Sequence, residues 1–469
     1  MERSHVSPPQ STNHIHRPSN QKCSPCSLRL HALSRKPLAS NHPIFQNRFA
    51  ISLRRTYSTI ESKRITIERY PLRANRRTTL PLDTEIIILG AGCAGLSLAV
   101  QFQQQLDPPP TLTIIDPKTS FPRDRTWCFW DVHPHPFRHS VRHTWDRWSV
   151  HQSGEVVVQK DSQMRYQYLP SDAFYEDARA ILDHPNVTFL MGETATDVKE
   201  TETYAEVHTD KQTLRCKWVF DSRPPDLPAT PNNPKDIRIL QHFKGIHIKT
   251  QQEVFDPTCV RLMDFDVDQS HGIHFLYVLP FSKTEALLEA TFFTPQLLEK
   301  DAYDVILKQY AEKEFGLTQW ELIHEEFGII PMFTEPFSRE IGKRIVGIGT
   351  RGGAPKPSTG YAFLPIQQDA EQIAKIFKEG AQGKRDWPAL RTKRNTFLDR
   401  VFLSYIARHP DKAPGIFFRL FKKTTPQTLL RFLSDTGTLA DDLRIMTAMP
   451  KWPLILETLL SHQIWWRHS

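Results

Sequence analysis

The chain lacks an apolar run long enough to cross a membrane. The longest, Ile86–Val100, is broken by Gly90, Gly92 and Gly95 and falls short of the roughly 18 residues that a span needs. That excludes a membrane-crossing helix but not attachment to a membrane surface. Cysteine is sparse, at six in 469 residues. Cys23 and Cys26 form a single C-x-x-C with no second pair to follow, so a zinc ribbon is unsupported and no metal site is expected. Cys93, Cys128, Cys216 and Cys259 are scattered. They read as small buried residues in a reducing compartment, not as a disulfide framework. Acid is nearly missing from residues 1–60, which hold nine Lys/Arg and only Glu2. The whole excess of basic over acidic residues, 60 against 52, lies there, leaving 51 of each in residues 61–469. A region without net charge offers no basic face for a phosphate backbone, so nucleic acid is not expected as a partner.

What is present suits a large enzyme. The length allows two or three lobes or one large α/β unit, and an apolar fraction of 39% supplies a sizeable core. Residues 1–60 are rich in Ser, Arg, His, Pro and Asn and read as an organelle-targeting segment; a basic tail kept on the mature protein is the alternative. No apolar stretch follows the start, which argues against secretion. Arg54-Arg55-Thr56-Tyr57-Ser58 is similar to a mitochondrial processing site, so the mitochondrion is expected, with the plastid as alternative. Residues 61–82 read as a linker.

Residues 85–100 read as a buried strand, a glycine turn and a helix, with Gly90, Gly92 and Gly95 in the pattern G-x-G-x-x-G. The first glycine permits the turn, the second the approach of a pyrophosphate, and the third close packing of helix on strand. A second strand, Thr111-Leu-Thr-Ile-Ile-Asp116, ends in an acid placed to bind ribose hydroxyls. An acid there favours FAD or NAD over NADP. The position of the motif, with most of the chain still to come, favours FAD as the resident cofactor by analogy of fold. Gly349–Gly360 follows a β-like run and holds Gly349, Gly352, Gly353 and Gly360, whose amides can approach a flavin ring closely; an ordinary Gly-Pro loop is the alternative.

Three segments carry a resemblance. They are Pro117–Trp130 (with Arg123, Arg125, Trp127 and Trp130), His274–Thr291, and Gly349-Thr-Arg-Gly-Gly-Ala-Pro-Lys-Pro-Ser-Thr-Gly-Tyr-Ala-Phe363. Together they resemble the lycopene cyclase flavoproteins, the bacterial-type β-cyclases above all, over about residues 84–375. The resemblance implies an α/β fold of the glutathione reductase/hydroxylase type that binds FAD, with an interleaved β-rich substrate domain and a helical C-terminus. The parts expected are FAD-binding 83–224 and 340–378, a β-rich substrate region 225–339 and a helical region 379–469.

It also implies closure of ionone rings at the ends of an acyclic, lycopene-like carotenoid without net redox change, with NAD(P)H as the source of electrons for the flavin. Ring type and the number of ends closed stay open. Protonating an alkene calls for a carboxyl that burial keeps protonated. The family's functional acid falls on Glu289 in Leu287-Leu-Glu-Ala-Thr291. Glu285 is its nearest competitor, Glu326 a secondary or structural acid, and His271 and His274 structural histidines.

Arg125 is expected over the pyrophosphate and Asp221 near the flavin, or else in an ion pair with Arg223. An oily substrate implies peripheral membrane contact, for which Ile416–Lys423 and Ile464–Arg467 are candidates; packing on the body is the alternative. An FAD monooxygenase or reductase acting on another isoprenoid or lipid is the second functional expectation. A non-catalytic flavin- or membrane-binding relative is the third.

Overall fold

The computed structural model describes residues 81–449 except 226–230, 232, 234, 235 and 381–386. The expected targeting segment, most of the linker, Cys23, Cys26 and Ile464–Arg467 lie outside the described residues.

Ile86–Leu89 is apolar throughout and buried throughout, as a strand covered on both faces must be. It lies in a five-stranded parallel sheet ordered Ile345–Gly347, Trp218–Asp221, Ile86–Leu89, Leu112–Asp116, Val187–Met191. The helix Cys93–Gln105 leaves the glycine turn, and the helix Phe363–Lys378 packs against it, with Gln367 Nε2 donating to Ser97 Oγ at 2.8 Å. A three-stranded antiparallel sheet spans Ala195–Cys216.

The second large sheet has seven strands, ordered Glu321–Phe333, Arg238–Lys249, Glu285–Thr294, Ile273–Pro280, Val260–Asp264, Arg147–Gln152, Glu155–Lys160. The last two correct the expected partition. They lie within 83–224 in sequence, yet Arg147–Gln152 pairs in parallel with Val260–Asp264 and carries Trp148 into the core against the seven-stranded sheet. Glu155–Lys160 closes the edge with Val156 and Val158 exposed. Thr126–Trp130, Tyr166–Pro170 and His143–Trp145 form a further small sheet.

Alternation along Glu285–Thr294 divides its side chains between two faces. Leu288, Ala290 and Phe292 pack with Tyr303, Leu307 and Tyr310 of the helix Lys300–Phe315. That helix stops at Gly316, whose φ of +66° is the left-handed conformation of a helix end. Leu287 and Phe293 join the other core, which the C-terminal helices Lys393–Arg408, Ala413–Lys423, Pro426–Leu433 and Leu439–Ala448 complete. Thr392 and the Thr438/Asp441 capping box start two of these helices by accepting backbone N–H groups.

Ala413–Lys423 buries Ile416, Phe417, Phe418, Leu420 and Phe421, so it packs on the body and does not present them to lipid. Its apolar stripe is matched by Phe265, Phe293 and Phe402, which meet the ring of Phe417. No helix among the described residues is long and apolar enough to cross a membrane.

Candidate active site

The glycine turn is held by steric necessity. Gly90 has φ +103°, and a Cβ there would lie 2.2 Å from Ser222 Oγ, which itself donates to the Leu89 carbonyl at 2.7 Å. A Cβ on Gly95 would lie 2.0 Å from the Gly90 carbonyl oxygen, so only glycine lets this helix sit on its strand. Gly92 differs: nothing lies within 4 Å of a Cβ there, and it faces a cavity. It is the N-cap of Cys93–Gln105, with no capping side chain and no acid in the first turn. The unsatisfied amides and dipole of that helix start therefore open onto empty space, as an anion requires. Asp116 sits beside the turn, its Oδ2 accepting from Ala91 N at 2.6 Å and its Oδ1 from Lys118 N at 2.9 Å.

The second glycine loop closes on the first. Gly349, at φ +58°, would place a Cβ 2.6 Å from Ala94 Cβ at the start of the helix. Gly360 would place one 2.1 Å from Gln241 Oε1 of the seven-stranded sheet. Buried charges brace this loop from behind. Lys356 Nζ pairs with Asp399 Oδ1 at 2.7 Å and with Asp435, Arg391 Nε reaches Asp435 Oδ2 at 3.1 Å, and Arg391 Nη1 donates to the Gly353 carbonyl at 2.8 Å.

Between loops and sheet lies a cavity of ≈ 420 Å³. Gly92, Ser222, Gly349, Thr350 and Gly360 form one wall, with Arg125 at it, 3.5 Å from Asp124. The rest of the lining is largely aromatic and apolar: Trp127, Trp130, Tyr166, Tyr277, Tyr361, Leu279 and Leu287. Burial pushes the hydroxyls of Tyr166, Tyr277 and Tyr361 well above the usual tyrosine range, so they stay neutral.

Glu289 stands in this wall and accepts from Thr291 Oγ1 at 2.6 Å. Its carboxyl is pushed up to about 8, first by burial and then by the charge of Glu326, against the Thr291 hydrogen bond. A carboxyl so placed holds a proton at neutral pH. Glu326 also lines the cavity and is 6% exposed. Burial raises it too, opposed by the Thr126 hydroxyl and by Arg123 and Arg125.

The structure gathers Gly92, Arg125, Glu289, Gly349 and Gly360 around the cavity, with Gly90, Gly95 and Asp116 just behind it. It does not bring Asp221 there. That carboxylate is 1% exposed and held by Arg223 through both oxygens, at 3.0 and 2.8 Å, and by Arg351 at 3.3 Å; its neighbour Ser222 takes the cavity wall. Gly352 and Gly353 line a separate recess beside Phe337, where a Cβ on Gly352 would meet the Gly347 carbonyl at 2.6 Å; they shape the loop rather than touch the cavity.

Glu285 leaves the row of its strand-mates for His247, 2.7 Å away in another recess. His274 is buried, stacked on Phe292 and lowered to about 4 by burial, so it is a neutral structural ring. Sequence reasoning passed over Gln241, the three tyrosines and the charges behind the loop, which strand register and packing between distant parts of the chain bring together.

A family model described as lycopene cyclase protein matches residues 85–459. A lycopene beta-cyclase of Paracoccus sp. (strain N81106 / MBIC 01143) is 31% identical over 46% of this chain and 58% of its own length. One of Pantoea ananas is 23% identical over 79% of this chain and 96% of its own. The chain thus spans somewhat over half of the first of these relatives and nearly all of the second.

Among solved structures, a geranylgeranyl bacteriochlorophyll reductase-like protein of Thermoplasma acidophilum superposes with a TM-score of 0.53 at 12% identity, covering 81% of this chain and 99% of that one. A flavoprotein/dehydrogenase of Cytophaga hutchinsonii gives 0.53 at 12% identity, covering 82% and 100%. The fold is that of these flavoproteins. By the match over most of its length, the chain belongs to the lycopene cyclase family.

Proposed function

We propose that the protein is a flavin-dependent lycopene cyclase, closing ionone rings at the ends of an acyclic carotenoid with no net redox change. One observation carries the reading: a half-buried carboxyl, Glu289, that desolvation favours in its protonated form, in an aromatic cavity also lined by a pair of nucleotide-type glycine loops. Such a hydrocarbon has no polar handle, and buried apolar and aromatic surface is what can bind it.

The loops suit FAD: the helix amides at Gly92 would take the pyrophosphate, Asp116 the ribose, and the backbone at Gly349 and Gly360 the ring system. Reduced flavin, with NAD(P)H as electron source, would supply negative charge beside a developing cation. Glu289 protonates the terminal alkene, and Thr291 fixes the direction of its carboxyl. The faces of Trp130, Tyr166, Tyr277 and Tyr361 stabilise the cation and keep water from quenching it. The carotenoid of such a reaction comes from a membrane, so the protein would take it up at a membrane surface.

Anaerobic incubation of the purified protein with lycopene, FAD and NADPH, followed by pigment chromatography and mass spectrometry, tests this. A product of unchanged mass with ring end groups is expected. Oxygen-coupled NADPH consumption with a hydroxylated product, or a product two hydrogens heavier, would replace this reading by a monooxygenase or a reductase.

A further inference from the structure

A second carboxyl stands in the same wall, and its use rests on the cyclase reading. Three adjacent strands place Glu326, Gly245 and Glu289 in one row: Gly245 is directly opposite Glu326 on one side and Glu289 on the other. Directly opposed residues share a face of the sheet, so both acids project the same way. The position between them carries no side chain. At about 4.8 Å between strands, their backbones are about 10 Å apart, a span that two glutamate side chains can largely close.

Glu326 leans into that gap, since a Cβ on Gly245 would lie 3.2 Å from its Cγ and 3.4 Å from its Oε1. Its Oε2 is buried, and neither it nor the nearby Thr126 hydroxyl makes a hydrogen bond of good geometry. An orphaned carboxylate oxygen costs stability unless something else uses it.

The two acids differ in what faces them. Glu289 has the Thr291 hydroxyl, Glu326 and the cavity aromatics. Glu326 has Arg123 and Arg125, with Asp124, Thr126, Cys128, Tyr168 and Glu289 also around it. Arg123 and Arg125 oppose the rise that burial causes at Glu326, whereas no cation acts on Glu289, so a single proton shared by the pair is better placed on Glu289.

We propose that Glu326 is the proton acceptor of the cyclisation, paired with Glu289 across Gly245. The O–H bond of Glu289 breaks as a C–H bond forms at the terminal alkene carbon. The π pair of the neighbouring alkene closes the ring C–C bond onto the cation. A ring C–H bond then breaks, its electron pair becomes the ring double bond, and its proton passes to the Glu326 carboxylate. Transfer of that proton from Glu326 to Glu289 resets the pair. Nothing is oxidised or reduced, and no proton is gained or lost overall. Both protons belong to atoms of one small ring, which suits two carboxyls flanking one gap.

The test uses the full chain loaded with reduced FAD, lycopene in detergent micelles, and the variants Glu326→Gln, Glu326→Asp and Glu289→Gln. Removing a general base lowers kcat by about 100-fold. For Glu326→Gln we expect that loss with KM held within about twofold, together with loss of the acid limb of the rate–pH profile. Glu326→Asp restores the acid limb and most of the rate.

A second readout needs no substrate: the infrared band of a protonated carboxyl, absent from Glu289→Gln, titrates at lower pH in Glu326→Gln because the neighbouring charge is gone. A Glu326→Gln enzyme with kcat within about twofold of the parent overturns the proposal, as does an unmoved infrared titration. If Glu326→Gln fails to hold flavin, Glu326→Asp decides. Reduced kcat with both pH limbs kept supports the role, and loss of kcat with no acid limb overturns it. Should the parent protein not cyclise lycopene at all, the functional reading falls, while the infrared titration still reports on the pair.

Discussion

Glu289→Gln separates chemistry from stability in a way that only a carboxyl held protonated in the folded state produces. In the folded chain Glu289 titrates at about 8 instead of 4.5. The folded state therefore binds a proton that the unfolded state releases between those values. By linkage, stability falls as pH rises through that window, is least affected below 4.5, and carries the full penalty above about 8. At about 1.4 kcal/mol per unit the interval corresponds to about 5 kcal/mol. Water entering the cavity screens part of it, so about 2–5 kcal/mol is expected.

Glutamine keeps the shape without the charge. Glu289→Gln is therefore expected to abolish cyclisation yet gain stability relative to the parent as pH rises from 5 to 9. In a chain this long a kcal/mol moves Tm by roughly 1–2 °C, so the Tm gap should widen by about 2–10 °C across that range. Differential scanning fluorimetry of both proteins in matched buffers measures it. A gap independent of pH would show that Glu289 ionises normally and would refute its assignment as an acid held protonated.

Thr291→Val removes the donor to Glu289, a bond to a charged group worth about 1.5–3 kcal/mol. The alkaline limb of the rate–pH profile should move up by about 1–2 units, and an unmoved limb would show that this bond does not set the acid. Gly245→Ala introduces a Cβ 3.2 Å from Glu326 Cγ and 3.3 Å from Leu287 Cδ1; kcat should drop about tenfold or more with flavin content unchanged. Gly90→Ala is strained at φ +103° and displaces Ser222, so flavin retention on gel filtration should be lost, with about 1–3 kcal/mol of stability.

Local patterns carried the nucleotide half. A buried apolar strand, three glycines and a terminal acid are near neighbours in sequence, and their geometry follows from short-range sterics and hydrogen bonding. Glu289 was singled out by the family resemblance, whose functional acid falls on it, and by the large apolar residues that flank it. Long-range register was not. That Gly245 falls between Glu289 and Glu326 depends on pairings 44 and 81 residues apart along the chain, which no local pattern encodes. The strands Arg147–Gln152 and Glu155–Lys160 escaped assignment because their sheet partner, Val260–Asp264, lies far downstream. Ile416–Lys423 looked interfacial because bulky apolar and basic residues serve a membrane face and a packed helix equally well. Asp221 misled because alternation at the strand end puts Ser222, not the acid, on the cavity wall.

The charges behind the second glycine loop tie two distant parts of the chain into one thermodynamic unit. Lys356 lies in that loop, while Asp399 and Asp435 belong to the C-terminal helical layer, and all three are largely buried. Removing one side would strand unpaired charge in the interior. Clipping the C-terminal helices should therefore release the cofactor, although they lie outside the glycine motifs. In the other direction, filling the cofactor site should shield those helices from proteases. With flavin bound as proposed, the helical end of the chain would act as a clasp whose strength is read in how tightly the nucleotide is held.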